Sequence, residues 1–352
     1  MAYCARIVGR HDRALSGRRW RRATRQRRRL STRRPRHSSV RGHRGRSLHD
    51  PGTAAHAVAR LFPPAWGRPA VTRPEPRACI VGWPAKHSRS PLIHGYWLKT
   101  LGLPGSYGVE EVAPGDMVGF LRTLQARGYV GCNVTVPHKE TAYRTVEVLT
   151  DRARALQAVN TVWIERGVLH GDNTDIVGFL ASLDAGAPGW DRKAAHAVVL
   201  GAGGASRAIV AGLLDRGVEL VTVVNRTRDR AEALAESFGR RVQAVGWESV
   251  GQLLPPADLL VNTTSLGMKG QPPLDIDLDG LKESAVVTDI VYVPLETALL
   301  AQARSRGHQV VDGLGMLLHQ AAAGFEHWFG RRPEVTPELR QVIVDDLARA
   351  PG

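Results

Sequence analysis

The sequence predicts an α/β protein of two successive domains, an α/β unit followed by a doubly wound unit, with a C-terminal helix returning to the first and a disordered Arg-rich extension in front. Three observations predict it. From Arg77 onward, short apolar strand-like runs alternate with longer helix-like segments, the pattern of largely parallel sheets covered by helices. A stretch rich in Gly, Pro and Asp, DAGAPGWDRKA at 184–194, interrupts that alternation. Directly after it, an apolar run turns through GAGGAS into an apolar helix and then a second apolar run, the order of a βαβ unit.

The extension is set apart by charge. A chain of 352 residues has room for two domains, and a net charge of +15 would ordinarily point to nucleic acid or an acidic membrane. Residues 1–76, however, hold 20 of the 48 Lys+Arg and only 3 of the 33 Asp+Glu, which leaves the rest of the chain at −2. Like charges repel in that segment and no apolar periodicity offsets chain entropy, so it is expected to be disordered. It is open to reading as a nucleic-acid or membrane arm, as an organelle transit peptide, or as a segment without a role. No methionine follows Met1 until Met117, so a true start at another codon, such as Val71, would make the segment an artefact of the assigned start, the reading preferred here.

Cys4, Cys79 and Cys132 are odd in number and lack metal-ligand spacing; the last two lie in strand-like runs and read as small buried side chains in a reducing compartment. No window approaches the roughly 18 apolar residues of a membrane span, and no secretory signal core precedes the fold. A soluble, cytoplasmic protein is expected, with no membrane partner and no metal.

In chain order, strands are predicted at 78–81, 106–112, 130–134 and 158–164, and helices at 91–100 and 114–127, each opened by a proline at a first-turn position. These belong to a first domain, 77–184, which the last helix pattern, starting near Gly315, rejoins over about 314–352. The second domain, 185–313, holds the strand–turn–helix that ends at Gly217, the strand before Asn225, a helix from Asp229 to Phe238, and strands at 258–264, 284–292 and 309–311.

In the turn Gly201‑Ala202‑Gly203‑Gly204‑Ala205‑Ser206, glycines let the backbone approach a pyrophosphate whose charge the helix N-terminus stabilises, a Rossmann fingerprint loosened by Ser206 in the third position. An NAD site carries an acid at the end of the second strand. Here stand Asn225, Arg226 and Thr227, with Arg230 a helical turn on, a set suited to gripping a 2′-phosphate, so the cofactor expected is NADP.

Polar clusters end the apolar runs of the first domain: KHSRSPLIH (86–94), NVTVPHK (133–139), AVNTV (158–162) and GDNTDIVGF (171–179). Singly, Ser88 and Ser90 read as helix caps, Asn160 as a turn residue and Asp175 as a cap. Together they place hydroxyl, amide, carboxylate and ammonium groups where a small polyhydroxylated acid would bind. Read with GAGGAS, NRT, NTTSLGM, DIVY and DGLGMLLHQAA, in that order, the chain from about Arg77 to near its end resembles the shikimate dehydrogenase family.

The resemblance implies reversible reduction of 3-dehydroshikimate by NADPH on the way to chorismate and the aromatic amino acids. It implies that Ser88, Ser90 and Tyr292 bind the substrate carboxylate, and that Thr135, Asn160 and Gln320 hold ring hydroxyls. Lys139 would move the proton, paired with Asp175. On the cofactor side it implies Gly201, Ala202, Gly203, Gly204 and Ala205 at the pyrophosphate and Asn225, Arg226, Thr227 and Arg230 at the adenosine phosphate, with Ile290 and Gly313 near the nicotinamide and Asp151 near the cofactor. Departures from the family pattern are Ile176 at a usual Gly, His138 before the lysine, read as packing, and the apolar Val293‑Pro294 after Tyr292. Three alternatives stay open: a quinate/shikimate paralogue with relaxed substrate or NAD preference, a nucleic-acid-binding protein acting through the Arg tail, and a cofactor-binding sensor without turnover. The family contains monomers and homodimers, and the sequence does not choose.

Overall fold

Two six-stranded sheets organise residues 74–349, those that the computed structural model describes. The predicted disorder falls on residues outside these, apart from 74–76.

The first sheet contains β1 (Arg77–Gly82), β2 (Ser106–Glu111), β3 (Tyr129–Val134), β4 (Val148–Leu149), β5 (Thr161–Glu165) and β6 (Val168–Asp172), in the order β2-β1-β3-β5-β6-β4. The expectation of a largely parallel sheet holds for five of the six strands. Strands β1, β2 and β3 are parallel, but β5 runs antiparallel to both β3 and β6. The cause is a two-residue hairpin turn at Arg166 and Gly167, whose φ values of 52° and 80° match the twist of the flanking strands. Its helices are α1 (Ser90–Leu101), α2 (Met117–Arg122), α3 (Lys139–Thr145), α4 (Asp151–Leu156) and α5 (Asp175–Gly186). The helix predicted over 114–127 is a 3₁₀ turn followed by the short α2, which stops where the Thr123 hydroxyl donates back to the Gly119 carbonyl at 2.8 Å.

The second sheet is wholly parallel: β7 (His196–Leu200), β8 (Leu220–Asn225), β9 (Val242–Gly246), β10 (Leu259–Asn262), β11 (Val286–Asp289) and β12 (Gln309–Val311), ordered β12-β11-β10-β7-β8-β9. Alternate residues of β7 enter opposite cores. Ala197 and Val199 pack on one face, Val198 and Leu200 on the other, so both faces are covered and the strand reads as continuously apolar. Connecting helices are α6 (Gly204–Arg216), α7 (Arg228–Phe238), α8 (Val250–Leu253) and α9 (Ala298–Ser305). The order reverses at β7, which leaves a crevice at the carboxyl ends of β7 and β10.

The chain then returns as α10 (Leu314–Phe329) and α11 (Pro337–Arg349), the second unforeseen in the sequence. Leu314, Leu318 and Phe325 of α10 pack with Ile93 and Trp97 of α1 and with Leu339 and Ile343 of α11. Trp328 Nε1 donates to the Val162 carbonyl at 2.9 Å and pins α10 to β5. Helix α10 also crosses α5 so closely that a Cβ on Gly178 would stand 2.6 Å from the Met316 carbonyl oxygen and 2.7 Å from Gln320 Cβ. Substituting Gly178→Ala is therefore expected to cost roughly 1–3 kcal/mol through overpacking. A thermal melt of the variant checks this, and an unchanged midpoint would mean that the helices separate freely.

Candidate active site

A cavity of about 460 Å³ opens at the strand ends of the first sheet, and every substrate-side residue expected from the sequence lines it: Ser88, Ser90, Thr135, Lys139, Asn160, Asp175, Tyr292 and Gln320. Ile290 and Gly313 line it as well. Each arrives by a local cause. The serines follow β1 in a turn held from outside by the Glu111 carboxylate, which accepts from the backbone N–H of Ala85 (3.1 Å) and Lys86 (3.2 Å). Arg89, not a serine, is the N-cap of α1, and Ser88 Oγ instead accepts from Ser90 N and donates to Ser90 Oγ, both at 3.2 Å.

Lys139 is the first residue of α3. Beyond β3, Thr135 N donates to the Val81 carbonyl and His138 N to the Thr135 carbonyl, so the chain turns tightly into the helix. His138 is buried with its ring Nε2 2.7 Å from the Val112 carbonyl, the packing role expected of it. Lys139 Nζ lies 2.6 Å from Asp175 Oδ2. The other carboxylate oxygen accepts from Asn160 Nδ2 at 2.7 Å, and Asn160 Oδ1 accepts in turn from Thr174 N at 2.8 Å and Thr161 Oγ1 at 3.0 Å. Asp175 thus spends its side chain on Lys139 and Asn160, while Thr174 takes the N-cap position of α5. From α10, Gln320 anchors its amide on the Leu317 carbonyl at 3.1 Å.

The strand predicted over 284–292 ends at Asp289, and the reason bears on the site. Buried Asp289 accepts from Val291 N and Asn262 Nδ2 through Oδ1 and from the Thr297 hydroxyl through Oδ2, which bends the chain out of the sheet and presents Ile290 and Tyr292 to the cavity. Burial raises the Asp289 pKa, opposed by these hydrogen bonds, and burial likewise raises that of the Tyr292 phenol. Asn133, His87 and Met316 line the cavity and were missed. Signals could have found two of them: Asn133 shares a strand face with Thr135 at period two, and Met316 lies one helical turn before Gln320.

At the crevice of the second sheet, Gly201 has φ 105°, a left-handed turn that glycine adopts without strain. Gly203 and Gly204 are different. Their φ values are not positive, and a Cβ on either would touch no protein atom, so their bareness leaves open only the space before the α6 N-terminus. Ala202 and Ala205 flank that space, and buried Ser206 accepts from Gly203 N at 3.0 Å and contacts the Thr263 hydroxyl at 2.6 Å, close packing of the kind expected of a small residue. Beyond β8, Asn225 Nδ2 donates to the Thr227 carbonyl at 2.8 Å, and Arg226, Thr227 and Arg230 are exposed. The residues present fit a pyrophosphate at the turn and an anionic group at the arginines. A second cavity of about 450 Å³ lies between α3 and α6, lined by Lys139, Arg144, Gly204 and Arg207 among others, so the Gly-rich turn and the Lys139–Asp175 pair are neighbours. Asp151 joins neither cavity: exposed at the start of α4, it pairs with Arg154 at 3.1 Å. Ile176 packs against Leu156, Ala158 and Ala208, so its bulk fills the seam between α5 and α6.

Comparison with known proteins converges on one family. Residues 80–162 match the shikimate dehydrogenase substrate binding domain, 187–268 match shikimate / quinate 5-dehydrogenase, and 313–342 match the shikimate 5'-dehydrogenase C-terminal domain. The chain is 59% identical over 271 residues to the shikimate dehydrogenase (NADP(+)) of Rhodopseudomonas palustris strain HaA2, covering 77% of this chain and 96% of that protein. It is 59% identical over 275 residues to that of Methylocella silvestris, covering 78% and 98%. Among solved structures, shikimate 5-dehydrogenase from Thermus thermophilus in complex with NADP(H) and shikimate superposes with a TM-score of 0.69 at 38% identity, covering 77% of this chain and 99% of that one. Quinate dehydrogenase from Corynebacterium glutamicum in complex with NAD gives 0.72 at 30% identity, covering 77% and 99%.

Beneath the cavity floor, the His94 ring stacks on Tyr107 (centroids 3.9 Å apart), whose hydroxyl donates to Asn133 Oδ1 at 2.6 Å. Burial lowers the His94 pKa to about 3, with the Asn133 side chain opposing. Between that value and the unfolded value near 6.5, only the unfolded chain takes up the proton, so stability is lost as pH falls through this window. Chemical denaturation at pH 6.5 and pH 5 should show the stability gap between wild type and His94→Phe moving by about 2 kcal/mol in the variant's favour. Equal pH slopes would contradict it.

Proposed function

The chain belongs to the shikimate dehydrogenase family, and from that premise we propose that it interconverts 3-dehydroshikimate and shikimate by hydride exchange with NADP(H), in the route to chorismate. The observation that carries this reading is the Lys139–Asp175 pair, 2.6 Å apart, inside a cavity otherwise ringed by hydroxyls and amides.

Ser88, Ser90 and Tyr292 take the substrate carboxylate, and Thr135, Asn160 and Gln320 take the ring hydroxyls. Bound NADPH supplies the hydride. As a ketone carbon is reduced, negative charge grows on its oxygen, and the Lys139 ammonium stabilises that charge and gives up a proton. In the reverse direction Lys139 accepts the proton from the hydroxyl that Asp175 orients. Gly201 to Ala205 cradle the cofactor pyrophosphate, Asn225 to Arg230 take the adenosine phosphate, and Ile290 and Gly313 form the wall beside the nicotinamide. A role for Asp151 rests on the family resemblance alone. In domain terms, 77–184 with about 314–352 binds substrate and 185–313 binds NADP. Cys79 and Cys132, both buried and free, are compatible with a reducing cytoplasm. Among the described residues no helix is long and apolar enough to cross a membrane. We assign no nucleic-acid partner to the folded domains and take the working unit to be a monomer or homodimer.

Shikimate-dependent reduction of NADP⁺ by the purified protein tests the reading, and no turnover with shikimate would overturn it. Lys139→Ala is expected to lower kcat by about 10² or more while KM for shikimate changes little; full turnover would remove Lys139 from the chemistry. Arg226→Ala should raise KM for NADP⁺ and leave KM for NAD⁺ unchanged, because only NADP carries the 2′-phosphate. Comparable wild-type rates with NAD⁺, or with quinate in place of shikimate, would favour the relaxed quinate/shikimate paralogue.

A further inference from the structure

We propose that α11 is a brace that holds two walls of the cavity in register, with Asp346 and Arg340 as its positioning residues; the inference rests on the reading of that cavity given above. Helix α11 seats its apolar face through Leu339 and Ile343, both fully buried against α1 and α10. Its charged side chains then reach the backbone segments that carry cavity residues. Asp346 Oδ2 lies 2.6 Å from Arg89 Nε, a charge contact without the alignment of a hydrogen bond, and Arg89 stands between Ser88 and Ser90. Arg340 forks onto Asp312, Nη1 to Oδ1 at 3.2 Å and Nη2 to Oδ2. Asp312 Oδ1 also accepts from Leu314 N at 3.1 Å, which fixes the start of α10, and the residue between them is Gly313.

Pairs this exposed contribute little to global stability. The side chains are 20% and 42% exposed in the first pair, although its contacting Nε and Oδ2 are covered, and 38% and 24% in the second. What distinguishes them is placement. One fixes the turn bearing the carboxylate-binding hydroxyls, and the other fixes the corner beside Ile290, on the nicotinamide side. A small displacement at a reacting centre costs rate far out of proportion to the energy of the contact that prevented it. Asp346 therefore acts on substrate binding through Ser88 and Ser90, and Arg340 acts on the chemical step through Gly313.

Near-isosteric variants keep the fold and separate the two effects. Asp346→Asn should raise KM for shikimate about fivefold while kcat and KM for NADP⁺ stay within about twofold. Arg340→Lys, which keeps the charge but loses the fork, should lower kcat about fivefold with little change in KM for shikimate. Steady-state kinetics on the full chain, beside thermal melts, read both. Wild-type protein without shikimate turnover would sink the proposed function itself. An active wild type whose variants differ from it only in melting temperature, or shift the same constants together, would overturn the brace alone.

Discussion

The ion pair between Lys139 and Asp175 is the constraint around which the first sheet and its helices are arranged. Lys139 begins α3 and Asp175 begins α5. A cation at a helix N-terminus is opposed by the helix dipole, whereas an anion there is favoured, so the second helix offsets what the first lacks. Asp175 is almost wholly buried, and a buried carboxylate without partners would be too costly to keep ionised. The surrounding hydrogen bonds answer that cost, because Asn160, itself held by Thr161 and Thr174, donates to one carboxylate oxygen and leaves the other for the ammonium.

The two sheets divide the work by their construction. The parallel second sheet reverses its strand order at β7, a geometry that opens a crevice without any special residue, and bare glycines keep the helix end beside it clear. The first sheet has no such ready crevice. It gathers its polar groups one segment at a time, from the turn after β1, the end of β3, the residue before β5 and the start of α5, and borrows Gln320 from a helix that follows the whole second sheet in the chain.

That difference explains what was legible. Strand–turn–helix with glycines is a local signal, and β7, α6 and β8 stand where the sequence put them. The substrate-side residues of the first four polar clusters were also local, being polar groups at the ends of apolar runs, whereas Tyr292 and Gln320 were found only through the family resemblance. The β5–β6 hairpin escaped because Arg166‑Gly167 was not read as a turn, and with it went the reversed direction of β5. The early end of β11 is a tertiary effect, since the pull of Asn262 and Thr297 on Asp289 comes from residues that no window on 284–292 contains. Helix α11 carries an apolar stripe whose meaning depends on α1 and α10 being packed beneath it.

The hydroxyl of Ser206 has a consequence for the recognition of a charged ligand. It occupies Gly203 N and touches Thr263, which itself donates to the Leu200 carbonyl at 2.6 Å, so turn, helix and neighbouring strand are tied together by the protein alone. A diphosphate bound there, as proposed, would meet a seat already in its final shape, one that has given up a backbone donor, Gly203 N, in exchange for rigidity. Affinity at such a seat comes less from the number of contacts than from the entropy that need not be lost when they form.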